Sequence, residues 1–215
     1  MDLYNNISAL PKIYPTGCIQ WDIYNVLLNA FCPFRGIEIE GKKLDRATFQ
    51  NDINNINYIT ITGESKRDDQ KYILVILNKN QKGTNSIISQ KQELIMFINK
   101  VVKDGYQTIA ISPSPVKKKI LSYLRESKIT NDKLRFVHYD VFKIVKLLGP
   151  FSPTNYEITD ASYFDQFYKK IEFQSKISVN SVDAIWMNAK VGQVLKSIDV
   201  DILTGLRITP KLVVP

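Results

Sequence analysis

The sequence predicts an α/β domain over the first two-thirds of the chain and a small α+β domain after it. Helix-like and strand-like patterns alternate between residues 57 and 142, which is the signature of α/β layers. A stretch with two prolines and a glycine, LLGPFSPTNYEITD, breaks the pattern at 147–160. The charge balance also changes there: residues 1–148 carry 22 Lys+Arg against 14 Asp+Glu, and residues 149–215 carry 7 against 7.

In chain order, IQWDIYNVLLNAFC (19–32) spaces its apolar residues as an amphipathic helix, which Pro33 is expected to stop. NYITITG (57–63) is β-branched and alternating and reads as a strand. KYILVILN (71–78) is a continuous apolar run, as expected of a strand buried on both faces. GESKRDDQ between them is turn-like, so the two strands are expected to form a hairpin. SQKQELIMFINKVVKDGY (89–106) reads as a helix with Lys100 and Lys103 in its last turns and Gly105 as its cap. QTIAIS (107–112) reads as a strand, SPVKKKILSYLRES (114–127) as a helix and LRFVHYDVF (134–142) as a strand. Beyond the break come a short helix (162–171) and two strand-like runs, 191–200 and 206–214. Pro210 marks the last of these as an edge or bulged strand.

Composition bounds the function. The apolar fraction of 44% and charged fraction of 23% are those of an ordinary globular protein. No apolar run reaches the ~18 residues that span a bilayer, and MDLYNNISALPK has no signal-peptide pattern, so no membrane role is expected. Cys18, Cys32 and His138 fall short of the four ligands of a structural zinc site, and the two thiols are expected to be reduced. No metal or other cofactor is expected. The excess of positive charge peaks at 100–146, with 11 basic residues against 4 acidic ones. Such a concentrated field suits a polyanion, although a solvated basic face has the same composition.

The C-terminal stretch VDAIWMNAKVGQVLKSIDVDILTGLRITPKLVV (182–214) carries the strongest pattern. Ala184, Ile185, Trp186 and Met187 fill a short helix. Lys190, Gly192, Val194 and Lys196 form a central segment, Thr204 and Gly205 a turn, and Lys211 lies in the final strand. This stretch resembles the C-terminal domain of the fifth subunit shared by nuclear RNA polymerases I, II and III, a domain that stands alone as a small subunit of the archaeal polymerase. The spacing from Ala184 to Leu212 needs no gap. The family's Asp-Pro before the short helix is Ser181-Val182 here, and Val191 replaces an arginine. The family's jaw domain is α/β, with a Thr-Pro-Ser-Ala loop facing downstream DNA. Ser112, Pro113, Ser114 and Pro115 stand at that place, and His138 matches a histidine-containing strand.

The resemblance implies a jaw-like α/β domain at 1–146, a linker at 147–154 and an assembly domain at 155–215. It implies a non-catalytic subunit of a DNA-directed RNA polymerase, a nucleotidyltransferase complex. The largest polymerase subunit and the other subunits would be partners, and so would downstream duplex DNA. The DNA-contacting loop would be Ser112, Pro113, Ser114, Lys117 and Lys118. Docking would use Ala184, Ile185, Trp186, Met187, Lys190, Gly192, Val194, Lys196 and Gly205. The Asn, Ile and Lys bias together with the eroded motifs points to a large DNA virus. The protein is then expected in a cytoplasmic viral factory and the virion, or in the nucleus if the source is cellular.

The residues themselves allow further readings. Serines beside prolines open the helix at 114 well, and its N-terminus favours an anion. Lys117, Lys118 and Lys119 point in different directions, since each residue turns about 100°, so one or two at most would track phosphates. Those contacts would be independent of sequence and weakened by salt. Asp52, Glu64 and Lys66 echo the spacing of a Mg²⁺-dependent nuclease of restriction-endonuclease-like fold, and a free-standing DNA-binding protein is a third reading. His138, in an apolar strand without a neighbouring nucleophile in sequence, reads as structural.

Overall fold

The computed structural model describes residues 17–56, 58–78, 91–113, 122–124, 126–127, 129–130, 133–143, 154–162, 175–201 and 205–215. These residues form a mixed α/β protein with two sheets. They fall into two compact units, one within Pro11–Ile144 and the other within Val145–Pro215.

The first unit opens with α1 (Ile19–Val26), which runs through a π-helical turn (Leu27–Phe31) into α2 (Cys32–Arg35). Pro33 therefore does not stop the helix as expected. The Cys32 N–H donates to the Leu27 carbonyl five residues back. This wider turn accommodates a ring that would otherwise press on the carbonyl four residues before it. The helix ends instead at Gly36, whose φ of 66° is the left-handed cap that glycine adopts without strain.

Two elements carry no clear signal in the sequence: the short strand β1 (Ile37–Glu40) and α3 (Arg46–Ile56). Asp45 starts α3 by accepting the Thr48 N–H at 2.8 Å. Only Phe49 and Ile53 of this polar helix are buried. Phe49 packs on Trp21 and Tyr24, with ring centroids 5.2 and 5.0 Å away.

The expected hairpin is present. β2 (Tyr58–Ser65) pairs antiparallel with β3 (Gln70–Leu77), Tyr58 opposite Leu77 and Ser65 opposite Gln70. Next come α4 (Lys91–Val101), β4 (Tyr106–Ser112) and β5 (Leu134–His138). The sheet order is β1-β2-β3-β4-β5. The β3–β4 and β4–β5 pairs are parallel. Ile73, Val75 and Leu77 face a core with Phe97, Ile98, Val101, Ala110 and Phe136. The alternate residues Tyr72, Leu74 and Ile76 point to the other face. There the Arg35 guanidinium lies over the Tyr72 ring. This double burial is what the unbroken apolar run of β3 anticipated.

Three boundaries differ from expectation. α4 ends at Val101, and Gly105 (φ 79°) belongs instead to a turn in which the Tyr106 N–H donates to the Lys103 carbonyl. β5 ends at His138: the Tyr139 N–H turns to the Ser112 carbonyl, and a short α5 (Asp140–Lys143) follows. Of the helix expected at 114–127, residues 122–124 are helical, and the part before them lies outside the described residues.

The second unit contains β6 (Thr154–Thr159), β7 (Lys176–Ser178), α6 (Val182–Met187), β8 (Val194–Asp201) and β9 (Gly205–Val214). Its sheet order is β6-β8-β9-β7. β6 falls in the stretch read from sequence as a break, and most of the helix expected at 162–171 lies outside the described residues. Ser181 caps α6 by accepting the Ala184 N–H at 3.3 Å.

Pro210 follows the edge rule. The Val213 N–H donates to Gln193 on the β8 side, and the Leu212 N–H donates to Ser175 on the other. Alternation then aims the Pro210 nitrogen away from β8. β7 pairs only with residues 212–214 of β9, so the missing donor meets no strand among the described residues.

Candidate functional site

The loop expected to meet DNA begins at the carboxyl ends of two parallel strands. Ser112 closes β4, opposite His138 of β5, and is fully buried. Pro113 follows, half-buried. His138 grips this junction: its Nε2 lies 3.2 Å from the Pro113 carbonyl and its Nδ1 2.8 Å from the Asp140 carboxylate. The imidazole therefore joins the ends of β4 and β5, as a structural histidine would. Ser114, Pro115, Lys117, Lys118 and Lys119 lie outside the described residues.

The residues expected to dock divide into two groups. Ala184, Ile185, Trp186 and Val194 are at most 3% exposed. Ala184 packs with Val179, Ala189, Leu195 and Val213 in this unit's own core. Met187 is half-buried, whereas Lys190, Gly192 and Gly205 are exposed. Lys196 pairs with Glu157 at 2.9 Å. Gly192 has φ 89°, and the Gln193 N–H donates to the Lys190 carbonyl. This turn places glycine where only a positive φ fits and lifts Val191, 47% exposed, to its tip. Gly205, φ 85°, starts β9.

Ile208, 49% exposed, is a surface residue that the sequence does not single out. It stands opposite Ile198 across β8 and β9. Alternation sets Ile198, Ile208, Pro210 and Leu212 on the face opposite the one carrying Leu195 and Val213. The strand signal is present in the sequence, but which face the core takes is not.

Asp52, Glu64 and Lys66, the nuclease echo of the sequence, all lie among the described residues. Glu64 stands opposite Glu38 on β1, and Lys66 pairs with Glu38 at 2.5 Å. Asp52 lines a groove with Thr60 and Thr62. Among the described residues no group of three His, Cys, Asp or Glu side chains is placed to hold a metal ion. No helix of the described residues is long and apolar enough to cross a membrane.

In comparisons with protein-family models and with curated proteins, nothing matches this chain.

Proposed function

We propose that this protein is a non-catalytic subunit of a multisubunit DNA-dependent RNA polymerase, with its second unit docked on the largest subunit and its first near downstream DNA. The observation that carries the reading is the build of residues 181–214: a Ser181-capped helix, a turn with Gly192 at φ 89° and the β8–β9 hairpin, in which Gly205 has φ 85°. These features fall on the residues that resemble the polymerase subunit, and each glycine has the positive φ that a turn favours.

Because Trp186 is only 3% exposed, the docking surface runs through Met187, Val191 and the Ile198–Ile208 pair. The core of an interface is depleted in charged residues and enriched in Met and aromatic side chains. The first unit is the jaw. Its loop after Pro113 would approach the DNA backbone through Ser114, Lys117 and Lys118, positioning the duplex without reading its sequence. The polymerase supplies the catalytic metal elsewhere. A viral origin puts the protein in a cytoplasmic factory and the virion, a cellular origin in the nucleus.

The test is affinity capture from the native source through a tag on Met1, read by mass spectrometry. Two very large polymerase subunits are expected in equal amounts. Val191→Asp with Ile208→Asp should lose them while the protein stays folded. A well-folded chain that captures neither subunit overturns the reading.

A further inference from the structure

The first unit holds a groove for which the polymerase reading has no use. β1 pairs only with residues 62–65 of β2. The first half of β2 is flanked instead by α3, while α4 covers β3 and β4. Between the two helices Thr60 and Thr62 form an open floor, with Ile73 beside them. One wall is α3, with Asp52 and Ile56; the other is the end of α4 and the turn after it, with Lys100 and Lys103. The cavity measures about 450 Å³.

The lysines are held at the rim. The Lys100 Nζ sits 5.6 Å from the Tyr58 ring centroid, and the Tyr58 ring packs edge-on against Phe97. The Lys103 Nζ sits 6.0 Å from the Tyr106 ring centroid. Cations placed over ring faces lose some freedom and keep their charge. Apolar surface adjoins them. Met96 is 73% exposed and Ile56 49% exposed. Met96 and Lys100, four residues apart, share one face of α4.

We propose that this groove binds a short segment of a partner protein, one that sets an aliphatic or aromatic side chain against Ile56, its carboxylates against Lys100 and Lys103 and a basic group against Asp52. The charges select a peptide over nucleic acid. Asp52 faces the groove, and Glu38, Glu40 and Glu64 share the same sheet face beyond Thr62, with Glu40 opposite Thr62 and Glu38 opposite Glu64. A phosphate backbone continuing along the floor would run into these carboxylates. A peptide can alternate acidic, apolar and basic groups and so match both ends. The inference does not depend on the polymerase reading, because every residue it uses lies in the first unit.

The test uses the full chain and a fluorescein-labelled peptide in which aspartates, leucine and phenylalanine are followed by lysine. Saturable binding by anisotropy is expected, with amide shifts at Thr60, Thr62 and Val101 in NMR spectra. Lys100→Glu combined with Lys103→Glu should weaken it about tenfold or more, and Ile56→Asp should weaken it too. The same peptide with asparagine for aspartate should bind correspondingly less. Random-sequence duplex DNA should not displace the peptide. Absence of binding at about 1 mM peptide overturns the proposal, as does binding indifferent to these variants. Displacement by duplex DNA overturns it in favour of a nucleic-acid surface. All three substituted side chains are substantially exposed, so the variants should fold.

Discussion

The Arg35 guanidinium lies over the Tyr72 ring, 5.0 Å from its centroid, and donates to the Tyr72 hydroxyl at 2.5 Å. That hydroxyl in turn donates to the Asp68 carboxylate at 2.6 Å. Asp68 also lies 3.6 Å from Arg35. The end of α2 is thereby tied to the β2–β3 turn through a buried charge, and Phe31 contributes a second ring at 5.6 Å.

Truncating Arg35 should be costly. Arg35→Ala leaves a cavity beside Tyr72 and removes the cation that Asp68 faces, a loss of about 2–4 kcal/mol. Urea unfolding measures it. Lys133→Ala is the control, because the Lys133–Asp104 pair at 3.7 Å is exposed and such pairs contribute little. A shift in midpoint as large for Lys133→Ala as for Arg35→Ala would refute the assignment.

Asp68 sets an acid dependence. Burial opposes its charge, but hydrogen bonds from Tyr72 and Ser65 and the Arg35 cation together outweigh burial and hold its pKa below the ordinary carboxylate value. A depressed folded-state pKa gives stability that is complete above the unfolded value of about 4 and lost as pH falls through the folded value. Unfolding midpoints should therefore drop on acidification below about pH 4, and Asp68→Asn should flatten that drop. Equal acid slopes in the two proteins would count against the network.

Two glycines should fail for different reasons. A Cβ on Gly63 would stand 2.5 Å from the Glu38 carbonyl oxygen and 2.8 Å from the Ile37 Cγ2. Gly63→Ala should therefore push β1 off the sheet, at a cost of about 1–3 kcal/mol. Gly192 has open space around it, so only its φ of 89° opposes a side chain. Gly192→Ala should cost about 1 kcal/mol, and Gly192→Asn should recover part of that because asparagine tolerates positive φ. Hydrogen exchange separates the two: protection should fall at β1 in the first variant and at the 190–193 turn in the second.

The two thiols should differ in reactivity. Burial pushes the Cys32 thiol up to about 12, and the thiolate is the reactive form. Cys18 is only half-buried. Iodoacetamide at neutral pH should modify Cys18 in the folded protein and Cys32 only after unfolding, as read by peptide mass spectrometry. Equal rates in the folded protein would contradict the placement of Cys32.

Part of this architecture is legible in the residues. The apolar run at 71–78 marks a strand buried on both faces, and the charged turn before it marks the hairpin, because both signals are local. Gly192 announces its turn, since few residues other than glycine adopt such a φ without strain. Pro210 announces an unpaired strand edge, since it has no donor to place. Of the loop read as facing DNA, Ser112 and Pro113 stand at the end of β4, and its lysines lie outside the described residues.

Other features exist only once the chain has folded. RATFQNDINNI has too few apolar residues to read as a helix, yet Phe49 seated on Trp21 and Tyr24 anchors it as α3. The four residues of β1 pair because Gly63 leaves room for their backbone. Pro33 is tolerated because the turn before it widens. Trp186, which reads as a docking residue, is buried, and the floor and walls of the Thr60–Lys100 groove come from segments as far apart as Leu44 and Lys103. Backbone preferences and periodicity act over a few neighbouring residues and survive in the sequence alone. Burial and the meeting of distant side chains depend on which faces pack, and that was decided by the tertiary fold.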